Sequence, residues 1–191
     1  MYNNWKELKA ACMDCQKCEM CKTRTNLVFG CGNENAEVLF IGEGPGEQED
    51  IKGEPFVGRS GQLLDKYLDA IGLERNKNMY IANIVKCRPP QNRNPLQSEQ
   101  DTCINWLREQ VRLMQPKIIV CLGRIAAQRI ISPDFKVTAQ HGDIIERRGT
   151  LLMGTFHPAA LLRNPNQKPD ALSDFLKLRD IIKEVCQKTY E

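Results

Sequence analysis

Four short runs of almost unbroken apolar residues constrain this chain more than any other feature: "AEVLFIG" (36–42), "MYIANIV" (79–85), "PKIIVCLG" (116–123) and "TLLMGTF" (150–156). Each is followed by a loop and then by residues of helical periodicity, which makes a βα series. A strand that is apolar on both sides has to be covered on both. The runs therefore predict an α/β fold with a small, about four-stranded parallel sheet sandwiched between helices. The helices are expected over roughly residues 4–14, 59–71, 97–114, 123–131 and 168–188. A chain of 191 residues suits one domain, since either half alone would bury too small a core. We expect a single domain over 1–191, with a cysteine-rich N-terminal helix packed on the α/β core. The Pro/Asn-rich "RPPQNRNP" reads as a rigid loop inside it and not as a linker.

Composition narrows the class without choosing a function. Hydrophobic residues make up 41% and charged residues 27%, as in ordinary soluble proteins and unlike disordered ones. No stretch is long and apolar enough to span a bilayer, and "MYNNWKELKAACMDC" lacks the apolar core of a signal peptide, so a cytoplasmic protein with no membrane partner is expected. A net charge of +3 is too small to imply nucleic acid by itself.

Cysteine usage says more. Nine cysteines, an odd number, argue against a disulfide framework and favour metal binding for any cluster. "CMDCQKCEMC" places Cys12, Cys15, Cys18 and Cys21 at repeated C-x2-C spacing, which brings two thiolates from one turn to the same centre. Cys121, inside "KIIVCLG", reads as a buried inert thiol, while Cys31 and Cys186 have no partner at ligand spacing.

In a parallel sheet of this kind ligands bind beyond the carboxyl ends of the strands. Those ends carry "GEGPGEQED", "NIVKCRPPQNRNP", "LGRIAA" and "TFHPAALLRN", so polar and Pro/Gly-rich chemistry gathers at three of the four. "GEGPG" is not a dinucleotide fingerprint, because the proline and the acidic residues at the helix start would repel a pyrophosphate. Taken alone its glycines also suit a plain tight turn, and a lone "HP" also suits a helix entry.

Together these residues resemble the family 4 uracil-DNA glycosylases, the iron–sulfur branch of that superfamily. The similarity runs in order along nearly the whole chain: a C-x2-C followed by "RTN", "IGEGPGEQEDIKGEPFVGRSGQLL", "NIVKCRPPQNRNP", Cys103, "IIVCLG" and "TFHPAALLRN". The resemblance implies hydrolysis of the bond joining uracil to deoxyribose in DNA, by a monomer acting on uracil-containing DNA, with the base flipped into the pocket. It also implies the ligand set. The second cysteine of the family lies six positions before the arginine of "RTN", which gives Cys15 and Cys18, completed by Cys87 and Cys103, with Cys12 and Cys21 left over. The set is C-x2-C, 68 residues, then C-x15-C, which suits a 4Fe-4S cluster better than a zinc ribbon, though spacing alone leaves zinc open.

The same resemblance distributes roles in the pocket. Phe56 stacks on the base, Asn83 matches its Watson–Crick edge, and His157 donates to O2, where negative charge develops as uracil leaves. Glu43 and the backbone of Gly44, Pro45 and Gly46 line the reaction centre, where a carboxylate stabilises an oxocarbenium-like state or orients water. The best-known uracil-DNA glycosylases carry an aspartate one position later, where this chain has Gly44. Glu43 is therefore the favoured water-directing group and Glu49 the alternative, while Glu47, Glu49 and Asp50 also suit plain helix-start charge. Leu162 is a candidate wedge, and Arg24, Lys86, Arg88, Arg93 and Arg163 a candidate phosphate-contacting surface. The class that competes with this enzyme is a non-enzymatic iron–sulfur DNA-binding protein.

Overall fold

A computed structural model describes all residues, 1–191. After helix α1 (Trp5–Met13) come the short strand β1 (Cys31–Gly32), β2 (Val38–Gly42), α2 (Glu47–Lys52), α3 (Arg59–Ala70) and β3 (Tyr80–Asn83). The second half holds α4 (Gln97–Met114), β4 (Ile118–Leu122), α5 (Arg124–Ile130), α6 (Val137–Gln140), β5 (Ile144–Arg147), β6 (Thr150–Thr155), α7 (Pro158–Arg163) and α8 (Lys168–Val185). The strands form one sheet in the order β1-β3-β2-β4-β6-β5. Its four central members, β3, β2, β4 and β6, are mutually parallel and are the four apolar runs. The sheet is nevertheless mixed and six-stranded, because β1 and β5 add antiparallel edges. Those two escaped the apolar pattern for a physical reason: β1 is two residues long, and β5 is half polar and increasingly exposed, as an edge strand facing water can be.

Every residue of β2, β3 and β4 is buried, as strands covered on both faces require. Register decides which helices cover which face. Leu39 stands opposite Tyr80 and Phe40 opposite Ile81, so Phe40 and Tyr80 point to opposite sides. Phe40 stacks on Phe175 of α8, which stacks on Tyr67 of α3 at 5.1 Å between ring centroids. On the other face Trp5 of α1 packs against Tyr80 and Phe29, and α1 lies along α4. Helix starts follow local chemistry: the Asn4 side chain accepts from the Glu7 amide, and Glu99 reaches back to the Leu96 amide. No helix is long and apolar enough to cross a membrane.

At the amino ends of the strands one carboxylate fastens the chain terminus. Glu37, just before β2, accepts from the amides of Gln187 and Lys188, from the Thr189 hydroxyl and from the ammonium of Lys117, just before β4. Burial opposes ionisation of Glu37, but Lys117 and the three donors beyond α8 outweigh it and hold the carboxyl down to about 2, against an ordinary 4.5. A carboxyl depressed on folding contributes stability that is present above about pH 4.5 and lost as pH falls toward 2. Glu37→Gln should therefore cost about 2 kcal/mol at neutral pH and flatten the loss of stability through that acid window, as checked by urea unfolding at stepped pH.

Candidate active site

The loops after β2 and β4 leave the sheet in opposite directions, toward β3 and β6, and open a crevice at the carboxyl ends of the strands. A cavity of about 670 Å³ fills it, walled by residues from all four central strand ends, among them Glu43 to Gly46, Asn83, Arg93, Gly123 and His157. The loop after β2 is clamped to β3 beyond the strand itself, since Ile84 and Val85 donate to the carbonyls of Gly42 and Glu43. Gly42 stands opposite Asn83 in the register, and a Cβ on it would meet Asn83 Oδ1 at 2.4 Å and the Phe56 ring at 2.6 Å. Only glycine admits both side chains here.

Asn83 is 2% exposed, and its Oδ1 is the one buried side-chain oxygen or nitrogen in the chain without a hydrogen-bond partner. A buried acceptor of this kind costs about 1–3 kcal/mol unless something supplies a donor. Phe56 sits beside it, its ring 5.6 Å from that of His157. Its backbone is left-handed at φ 55°, a conformation costly for a bulky residue. The guanidinium of Arg75 holds it there, donating to the carbonyls of Pro55 at 2.7 Å and Phe56 at 2.6 Å while its Nε pairs with Asp65.

His157 opens α7. The Ala159 amide donates to its Nδ1 at 3.1 Å, which leaves the ring proton on Nε2. Burial, helped by the positive charge of Arg163 and opposed by Glu49, pulls its pKa down to about 4, so at neutral pH the ring is an uncharged donor. Behind it Gly123 has φ +90° and would meet the His157 Cβ at 2.7 Å if it carried a side chain. Glu43 is half-buried; burial pushes its carboxyl up, while Arg124 and then Arg163 draw it back. Glu49, by contrast, is engaged by the scaffold: it accepts from the amides of Gly46, Val57 and Gly58 and so closes the turn that carries Phe56. Asp50 likewise binds the amides of Thr25 and Asn26, and exposed Glu47 pairs with Arg88.

A second, closed pocket is lined by Cys15, Cys18, Cys21, Cys87 and Cys103. Three of these sulfurs accept hydrogen bonds: Cys15 from Trp106 Nε1 at 3.3 Å, Cys87 from Arg24 at 3.2 Å and Cys103 from the Lys86 amide at 3.2 Å. Three cations, Lys17, Arg24 and Lys86, share the lining, and no carboxylate does. Burial pushes the Cys103 thiol up to about 12. No three of the chain's Cys, His or carboxylate groups converge as ligands of a single ion.

A family model described as the uracil DNA glycosylase superfamily matches residues 29–178. The chain belongs to that superfamily. Similar curated proteins include type-4 uracil-DNA glycosylases and, at lower identity, type-5 ones. The type-4 protein from Archaeoglobus fulgidus is 45% identical, with 92% of this chain and 90% of that protein covered. Those from Sulfurisphaera tokodaii and Thermotoga maritima are each 40% identical, covering 92% and 89% of this chain and 83% and 90% of theirs.

For this superfamily member the structure brings together Glu43, Gly44, Pro45, Gly46, Glu49, Phe56, Asn83, His157 and Arg163 on the cavity. One sequence expectation about basic residues is corrected. Lys86 is fully buried and cannot touch phosphate, whereas half-buried Arg24 lines the thiol pocket and stays partly open to solvent. Arg93 and Arg163 do line the cavity, whereas Leu162 is half-buried on α7 and does not. Cys21, expected to be surplus, lines the thiol pocket, and Cys12 is buried in the core.

Two residues were missed. Arg124 lines the cavity beside Glu43 and was visible in "LGRIAA" at a strand end. Arg75 lies in a loop twenty residues from the Pro55 carbonyl it binds, and no sequence signal marks it. Arg75→Met should cost about 2 kcal/mol or more, and Arg75→Lys should recover less than half of it, because an ammonium cannot fork to two carbonyls and a carboxylate. Urea unfolding measures the loss, and the NMR signals of the Phe56 ring should shift in both variants.

Proposed function

We propose that this chain is a DNA repair hydrolase that cuts the N-glycosidic bond of deoxyuridine in DNA, releasing uracil and leaving an abasic site. The observation that carries this reading is the unpartnered carbonyl of Asn83 beside the Phe56 ring, at the floor of a cavity large enough for a flipped nucleotide. That carbonyl accepts from N3–H of uracil, the Asn83 amide donates to O4, and Phe56 stacks on the ring. Cytosine offers the reverse pattern, so its entry would leave buried groups opposed like to like.

As the C1′–N1 bond breaks, its electron pair passes to the base, and Nε2–H of neutral His157 donates to the charge gathering on O2. The sugar becomes oxocarbenium-like, and Glu43 stabilises it and orients the water that adds to C1′; the proton of that water passes to the carboxylate and on to solvent. Glu49 is already held by three amides, which favours Glu43 over it for that task. Arg124, Arg163 and Arg93 supply cations around the mouth for phosphate. Nine unpaired cysteines support a reducing compartment such as the cytoplasm.

The thiol pocket fits an anionic, thiolate-bound group: its donors are cysteines and its charged neighbours are cations. Cys15, Cys18, Cys87 and Cys103 would hold a 4Fe-4S cluster there, which would supply a covalent tie between the N-terminal segment and the loop walling the cavity, and no step of the hydrolysis.

Uracil release from a labelled oligonucleotide tests the activity. Asn83→Asp should lose roughly 10²-fold or more of it while keeping affinity for DNA; excision at the parental rate by a folded variant would make Asn83 a structural residue. The pH profile tests the remaining roles. Activity needs Glu43 ionised and His157 neutral, and both conditions fail as pH falls. The acid limb should lie above 4.5, set by the raised Glu43 carboxyl. In Glu43→Gln the residual activity should persist further and fall near 4, where His157 takes up a proton. An unchanged limb in that variant would remove Glu43 from the mechanism.

A further inference from the structure

Lys86 is a charged side chain with no surface at all, 0% exposed. Its ammonium is fixed by two neutral acceptors, the main-chain carbonyl of Asn83 at 3.1 Å and Gln110 Oε1 at 2.6 Å, and lies over the Phe29 ring at 6.0 Å. Gln110 is itself locked in place, donating from its other end to the Phe29 carbonyl. None of the chain's ion pairs includes Lys86. A buried ammonium held only by neutral dipoles is costly, and charges at such depth are retained where an opposite charge meets them. The groups near it that could carry one are thiols: Lys86 lines the thiol pocket, its main-chain amide donates there to Cys103 Sγ, and the charges of Cys12 and Cys103 act on its ammonium.

The other lining cations are differently placed. Lys17 lies over the face of Trp106 at 4.4 Å, and Arg24 spends a donor on Cys87. Four thiolates outweigh the positive charge of an iron–sulfur core, so a loaded pocket is anionic.

We infer that Lys86 is the fixed internal counter-cation of the thiolate-bound cluster, holding its negative charge inside the core. The inference rests on the cluster reading given above. Its charge acts on retention and potential together. Removing a cation beside an anionic cluster loosens the cluster and makes its reduction harder, so the midpoint moves negative.

The test uses the intact, iron-loaded protein purified without oxygen, as wild type and as Lys86→Met and Lys86→Gln. Glutamine keeps the capacity to hydrogen-bond without the charge, so a loss shared by both variants is a loss of charge. Wild type should be brown with about four irons per chain. Both variants should release iron to a chelator about 10–100-fold faster, and the midpoint potential of whichever retains enough cluster should be more negative than that of wild type. Iron release at the wild-type rate, or an unshifted potential, would overturn the inference while leaving the cluster reading intact. A colourless, iron-free wild type would overturn the cluster reading and the inference with it. Loss of the cluster in Lys86→Met with wild-type behaviour in Lys86→Gln would show a role of shape or hydrogen bonding, and would also overturn it.

Discussion

Gly42 and Asn83 face each other on the last rung of the β2–β3 ladder, and the cavity is organised around that pairing. Because side chains alternate along a strand, a slip of one residue would turn Asn83 away from Phe56 and seat another side chain in its place. The register is held by more than the rung itself. The ladder continues past both strands into the loops, through the bonds from Ile84 and Val85, so the loop bearing Glu43 is hung directly on the strand bearing Asn83. Two groups from distant parts of the sequence are thus placed by backbone hydrogen bonds and do not depend on flexible side chains for their spacing.

The electrostatics of the cavity follow a complementary plan. Its base is neutral: an amide, an aromatic ring and an uncharged imidazole whose tautomer is set by the first turn of α7. Its rim is charged, carrying the Glu43 carboxylate together with Arg124 and Arg163, whose positive charges act on it. A neutral floor discriminates by its pattern of donors and acceptors. A charged rim acts on what is charged in nucleic acid, its backbone.

The fold was legible wherever burial imposed a period on the sequence. The four doubly covered strands and α4, whose expected limits of 97 and 114 are those observed, needed only apolar pattern and caps. Other short elements were not legible: β1, β5 and α6 are set by neighbours and carry too few residues to show a period, while α2 and α7 showed only their starts. The same divide runs through the site. Asn83, His157 and Glu43 stand at strand ends where chemistry was expected, whereas Arg75 acts by folding back on a loop, and only the three-dimensional structure brings it to Phe56. Lys86 misled for the reason Arg75 was missed. A lysine in a polar-looking loop reads as solvated, and the burial that gives it an interior role is set by α4, through Gln110.

The walls of the thiol pocket come from residues 15–27, 86–87 and 102–106, which gives its assembly an order in time. During synthesis at about 5–20 residues per second, the N-terminal thiols leave the ribosome roughly 5–20 s before Trp106 exists to cover Cys15. For that interval α1 has no α4 to lie against, and its neighbouring cysteines stand open to oxidants and to adventitious metals. The thiols most exposed to damage are thus the first to be made, and the helix that shields them is completed only once more than half of the chain has been translated.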